Sequence, residues 1–312
     1  PDVDHALMDG TIIRTHVLRP TWHFVAVSDI RWVLALTAPR VHRNVAHRFR
    51  DLGLDHQTLT RCETVIASAL EGRKRMTREE IGGVLASAGI DPSGQRLPFI
   101  LLHFELEAVI CSGGLAGKQQ TYALFDERVP KSRRFDHDEA LAELARRYLQ
   151  SHGPATVQDL RWWSSLTTPD LNKALELLGS TVRSEVLEGR TFWWLNADAR
   201  ATTRGRRAHL LQPYDETLVG YTESRFFGDP REPAARSAWK NPMLPSGVVL
   251  LNGRVAGQWK RTMKGRRITV EAFLYDDPTN PETRLLENAA AELGRFFGRP
   301  ATFERRAVTL AR

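Results

Sequence analysis

The sequence of this 312-residue chain predicts an α+β fold: tandem winged-helix units (helix-turn-helix plus β-hairpin wing) followed by a small β-barrel-like domain. Three observations carry that expectation. A capped short helix, a second helix and a hairpin follow one another twice, from Thr77 to Leu124 and from Thr156 to Leu195. A hairpin preceded only by a helical stub opens the chain, like the back half of a third copy. Composition then shifts across TTRGRRAH (202–209), beyond which strand-forming residues dominate. The predicted boundaries are 1–51 (a partial first winged helix and the helix after it), 52–130 (the second), 131–200 (the third) and 208–312 (the β-rich domain).

Each element has its own signal. Asp2–Met8 is the stub, ended by Gly10. TIIRTHVLRPTWHFVAV (11–27) is rich in β-branched and aromatic residues and reads as a hairpin turning at Arg19-Pro20. Ser28 should cap a helix that ends near Pro39, and residues 40–75 read as two helices around Leu52-Gly53. Thr77 and Glu80 form a capping box, and Gly89 stops that helix. Ser93 can cap the next, which runs to Ala108. The hairpin 109–125 has a Gly-rich tip, Gly113 to Gly117, followed by Lys118. A basic connector, PKSRRF, covers 130–135.

In the third unit Leu141, Leu144, Ala145 and Tyr148 share a face at helical spacing. Asp136 to Glu139 sit at the positive end of that helix, and Arg146 and Arg147 toward the negative end. Thr156 with Asp159 opens a second helix, and Thr168-Pro169-Asp170 opens a third, ended by Gly179. Glu188-Gly189 is a two-residue hairpin turn leading into Phe192-Trp193-Trp194. In the last domain HLLQPYDETLVGY, GVVLLNGRVAGQWKR and RRITVEAFLY are strand-like, and Asn252-Gly253 marks a hairpin. A helix, PETRLLENAAAELGRFFG, precedes a final strand, ATFERRAVTL; proline-rich 229–245 is an excursion loop.

Charge narrows the partners. The formal net charge is +7, from 44 basic and 37 acidic side chains, a mild excess that suits an anionic partner. Two cysteines, Cys62 and Cys111, argue against a disulfide framework or a cysteine-rich metal site and fit a reducing compartment. No run approaches the roughly 18 apolar residues of a membrane span, and no signal peptide is visible. A cytoplasmic, nucleoid-associated monomer without metal or organic cofactor is expected. The chain opens on Pro1 instead of Met, and at a helix end, so it reads as N-terminally truncated.

Candidate site residues follow from chemistry and spacing. Arg14, His16, Arg19 and His23 lie on the first hairpin and could grip a phosphate. A four-residue loop would set His16 opposite His23; a three-residue loop would set it opposite Trp22. As metal ligands the two histidines lack a third partner. His42, His47 and His56 are irregularly spaced and read as surface residues. Basic clusters at Arg73–Arg75, Arg133-Arg134, Arg204–Arg207, Lys260-Arg261 and Lys264–Arg267 all fall in connectors, hairpins or strand ends. Any one of them is an ordinary solvated run, but five together argue for phosphate contacts. The predicted DNA-binding set is Arg14, His16, Arg19, His23, Lys118, Arg133, Arg134, Arg190, Arg206, Arg207, Lys260, Arg261 and Arg266. Asp215, beside Glu216 after an apolar strand, is a weak candidate for a base or water-positioning group; a strand-end turn is the plainer reading. The second helices carry carboxylates (Asp170 and Glu176; Glu105 and Glu107) that would repel a groove. The units therefore suit holding a duplex more than reading it.

RTHVLRPTWHFVA with DIRWVLALTAPR, DEALAELARRYLQSHGPAT with DLRWWSSLT, the YDE–LVGY stretch and LLNGRVAGQWKR together resemble the bacterial winged-helix DNA-binding family that includes the AlkZ and YcaQ DNA glycosylases. The likeness spans essentially the whole chain. It implies three tandem winged helices and a C-terminal β-barrel around double-stranded DNA. It also implies hydrolytic excision of alkylated (N7-alkylpurine or crosslinked) bases, with no cofactor. The family's catalytic signature, Gln-x-Gln or Gln-x-Asp, precedes the RTHVLRPTWHFV hairpin and is not present in this chain. Gln119 and Gln120 are adjacent and in the wrong hairpin. No catalytic residue carries over, and a non-enzymatic winged-helix DNA-binding protein or regulator is the alternative.

Overall fold

The computed structural model describes residues 2–196, 207–226 and 247–307. The chain divides into two compact units, Pro1–Asn196 and Ala197–Arg312.

The first unit opens with α1 (Asp2–Asp9) and a hairpin of β1 (Ile12–Val17) and β2 (Arg19–Ala26). The turn lies one residue earlier than Arg19-Pro20: Leu18 takes a left-handed φ of 64°, and Val17 pairs with Arg19. Helix α2 (Ile30–Asp51) runs straight through Pro39, where the sequence predicts a stop. Burial overrides the proline. Val33, Leu34, Ala38, Val41 and Val45 form one buried stripe across it, and their packing offsets the roughly 3 kcal/mol that an interior proline costs.

Helices α3 (His56–Leu70), α4 (Arg78–Ser87) and α5 (Arg96–Leu106) follow, with the short β3 (Met76–Thr77) between the first two. The predicted Thr77–Glu80 capping box forms, with the Glu80 carboxylate accepting from Thr77 N–H at 2.6 Å. Ser93 does not cap α5; its own N–H is held by Asp91 Oδ1 at 2.9 Å, and Gln95 occupies the N-cap position. β4 (Ile110–Ala116) and β5 (Gln119–Leu124) join β3 in a sheet of order β3-β5-β4. Its tip is Gly117-Lys118. Gly113 and Gly114 lie within β4, at a bulge. Gly114 has φ 94°, and a Cβ there would meet Met8 Sδ of α1 at 2.9 Å, so the glycine admits the stub. Cys62, Ile66, Leu70, Ile81, Leu85, Ile100, Phe104, Ile110 and Tyr122 make one core of these elements.

After a short α6 (Phe125–Arg128) come α7 (His137–His152), α8 (Val157–Ser164) and α9 (Thr168–Leu178). Capping boxes start α8 at Thr156 and α9 at Thr167, one residue earlier than predicted. Strands β6 (Val182–Leu187) and β7 (Arg190–Leu195) form a hairpin over Glu188-Gly189, both with positive φ as a two-residue turn requires. Long-range polar contacts tie these blocks together. Arg147 of α7 pairs with Asp29 at 2.5 Å, and Arg40 of α2 donates to Ser165 O at 3.2 Å.

The second unit holds β8 (Ala208–Leu211), α10 (Glu216–Val219), β9 (Gly247–Leu251), β10 (Arg254–Lys264), β11 (Arg267–Leu274), α11 (Asn280–Phe296) and β12 (Ala301–Ala307). Only the start of the predicted 209–221 strand is β; a turn and α10 take the rest. Residues 229–245 lie outside the described residues. The expected barrel is not formed: among the described residues the strands make one open sheet, order β12-β11-β10-β9-β8. The reason is topological. After α11, β12 adds parallel to β11 at one edge while β8 holds the other, so the edges do not meet. Leu286 and Ala290 of α11 pack on Val249, Trp259, Ile268 and Val270 of that sheet.

Candidate nucleic-acid interface

The period of two sorts the β1–β2 hairpin into two faces. Thr15 pairs with His23 and His16 with Trp22, so the two histidines point to opposite sides and the three-residue-loop register holds. Ile13, Thr15 and Val17 are fully buried, whereas Trp22 and Phe24 on β2 are 48% and 60% exposed. His16 turns inward. Its Nδ1 makes a very short contact with Glu105 Oε2 of α5, and Glu105 is fully buried. Glu105 is thus a support for the hairpin and not a groove-facing carboxylate. Leu18 N–H donates to Thr37 Oγ1 of α2, and Arg14 N–H to Ser112 Oγ of β4 at 2.9 Å. The hairpin is therefore fixed from three elements at once.

Beside it is a cleft of about 450 Å³. Arg14 and Trp22 line one side; Arg78 of α4 and Gln119, Gln120 and Tyr122 of β5 line the other. The Arg14 guanidinium lies 4.3 Å from the Trp22 ring centre, a cation–π contact that presents charge and aromatic face together. Gln120 Oε1 is buried without a hydrogen-bond partner. Burial, then the nearby Glu105 carboxylate, pushes the Tyr122 hydroxyl up to about 12, so it stays protonated. The cleft thus holds a cation, an open aromatic ring and an unanswered acceptor. That combination suits a phosphate with an adjacent planar base.

The other predicted cations are distributed as follows. Arg19 lies 5.9 Å from the ring of Trp162 on α8. His23 Nδ1 is 2.9 Å from Thr21 O, beside its own turn. Lys118 is exposed at the β4–β5 tip, and Arg190 is half-buried at the start of β7. Arg133 is paired with Glu139 and stacked 5.0 Å from Phe135, while Arg134 is exposed. Those two line a second cleft of about 490 Å³ with Trp32 and Arg31. In the second unit Arg207 is exposed, and Lys260 is 3.4 Å from Glu271. Arg261 sits 4.9 Å from the Phe297 ring, and Arg266 is exposed in the β10–β11 turn. Arg206 lies outside the described residues. Asp215 caps α10, accepting from Thr217 N–H at 3.0 Å, as the strand-end-turn reading has it.

Sequence reasoning missed the partners that make the cleft. Trp22 was visible only as the residue opposite His16, and Gln120, Tyr122 and Arg78 come from sequence about 60 to 100 residues away. It also misplaced His42. That side chain is half-buried between α2 and α5, where its Nε2, His103 and Glu107 bring three ligand atoms within 4.8 Å of one another. Burial, reinforced by His42, pulls His103 down to about 4.

A family model described as "DNA glycosylase AlkZ-like" matches residues 1–296. The interstrand DNA cross-link repair glycosylase of Streptomyces sahachiroi is 24% identical over 312 residues, covering 95% of this chain and 82% of its own. The solved structure of Streptomyces sahachiroi DNA glycosylase AlkZ aligns with a TM-score of 0.75 at 24% identity, over 98% of this chain and 84% of that one. No described helix is long and apolar enough to cross a membrane.

Proposed function

The chain belongs to the AlkZ-like DNA glycosylase family, and we propose from that premise that it is a DNA-repair protein that grips double-stranded DNA and serves excision of alkylated bases. In this reading the helix–helix–hairpin blocks are winged helices bounded as 1–51, 52–130 and 131–200, and the protein works as a monomer in the nucleoid. The excised base is an N7-alkylpurine or a crosslinked purine. Alkylation places positive charge on the purine, so when the bond from its N9 to C1′ breaks, the base leaves neutral. A water oxygen bonds to C1′, and its proton passes to a general base. Asp215 is not proposed for that role, because its carboxylate is committed to the α10 N-terminus.

The observation that carries the reading is the Arg14–Trp22 pair on a hairpin held rigidly over a cleft. We assign phosphate contacts in the first unit to Arg14, Arg19, His23, Lys118, Arg133, Arg134 and Arg190, and in the second to Arg207, Lys260, Arg261 and Arg266. His16 is left out, since Glu105 holds it. The test is release of 7-methylguanine from methylated duplex by the full-length protein. Release above background, reduced in Trp22→Ala, is expected. Duplex binding that falls with ionic strength but releases no base would overturn the enzymatic reading and leave the non-enzymatic binder.

A further inference from the structure

We propose that His42, His103 and Glu107 form a site for a divalent transition ion such as zinc, clamping helix α2 to the end of α5. Two features of the chain build it. His103 and Glu107 stand four residues apart at the end of α5, the spacing that puts two side chains on one helical face. His42 reaches the same point from α2, the helix packed against α5. The three ligand atoms lie within 4.8 Å of one another. Tetrahedral zinc with bonds of about 2.0–2.2 Å sets its ligands about 3.3 Å apart, so the ligand atoms have at most about 1.5 Å to close.

His42 Nε2 is 2.7 Å from Glu107 Oε1, yet that nitrogen is buried and makes no hydrogen bond. The carboxylate is near but off the N–H direction, as it would be around a shared cation. The imidazole of His103 lies 5.2 Å from that of His42, edge to face. Two imidazoles and one carboxylate are a donor set that favours zinc, nickel or copper over magnesium or calcium. Glu107 is about half exposed, so a fourth position is open to water. The site is separate from the Arg14–Trp22 cleft: none of its three residues lines that space.

The test uses the full chain, stripped with chelator and titrated with Co²⁺ followed by visible absorption, then with Zn²⁺ in competition. One equivalent should bind and give the absorption of a four-coordinate site. Glu107→Gln, which changes an exposed side chain, and His42→Asn should each weaken binding by roughly 100-fold, at or beyond the limit of what outer-shell partners control. His47→Asn, an exposed histidine further along α2, should leave it unchanged. Zn²⁺ should raise the melting temperature of the parent but not of Glu107→Gln. Absence of one-to-one binding, or binding kept in either ligand variant, overturns the proposal. Circular dichroism of each variant separates loss of the site from loss of the fold.

Discussion

Hairpins β1–β2 and β6–β7 are of similar length, yet the rest of the molecule treats them differently. In β1–β2 both faces are engaged: Ile13 and Val17 are fully buried on one, His16 meets Glu105 from the other, and the turn residue Leu18 is bonded to α2. In β6–β7 contact falls mainly on β7, and β6 beyond Val182 is exposed. Val182 and Phe192 are buried and Ala155 bridges Trp193, but Val186 is 66% exposed. A two-stranded hairpin is marginal by itself in water, so non-local contacts decide its stiffness. The difference separates an anchored element, able to present Arg14 and Trp22 in a fixed pose, from a projecting one able to adapt to what it touches.

That contrast can be broken at several points. The largest expected effect is on β1–β2: His16→Ala leaves the buried Glu105 carboxyl without its partner and should cost about 3 kcal/mol in urea unfolding. Next, Trp22→Ala should lower duplex affinity by about 1–3 kcal/mol, the usual worth of one base–aromatic stack, while unfolding is nearly unchanged. Arg14→Gln and Arg19→Gln should weaken all duplexes alike and each reduce the salt slope by about 1; a sequence-selective loss would contradict phosphate contact. On the projecting hairpin, Val186→Ser should move stability by no more than about 0.5 kcal/mol. A cost there as large as that of His16→Ala would erase the distinction.

The smallest effect concerns the connection between α2 and α7. Hydrogen bonds from Arg146 and then Arg147 hold Glu143 down to about 2. Its folded value is depressed, so the stabilisation is full above the ordinary carboxylate value of 4.5 and is lost as pH falls toward 2. Glu143→Gln should therefore narrow the gap between melting temperatures at about pH 6 and about pH 3.

Local signals were legible in the sequence, and non-local ones were not. Thr77–Glu80, Thr156–Asp159, Glu188-Gly189 and Asn252-Gly253 form the caps and turns their residues specify, because each interaction closes within four residues. Pro39 misled because the competing term, burial of Val41 and Val45, depends on what packs there. The barrel expectation failed for a similar reason: strand propensity locates β8 to β12 but does not say which edges meet. Of the site, the cationic hairpin was visible and its register was narrowed to two. Choosing between them needed Glu105, 89 residues away in sequence.

Helix α2 acts as a ruler. Along its 22 residues it meets Arg147 through the preceding Asp29, the hairpin turn at Thr37, Ser165 at Arg40, and α5 at His42. Each residue advances about 1.5 Å and turns about 100°. Inserting one residue between Thr37 and Arg40 would therefore swing the later contacts a quarter-turn away from their partners, although no contacting side chain had changed. Relatives should tolerate substitution along this helix far more readily than any change in its length, and spacing is what they would have to inherit.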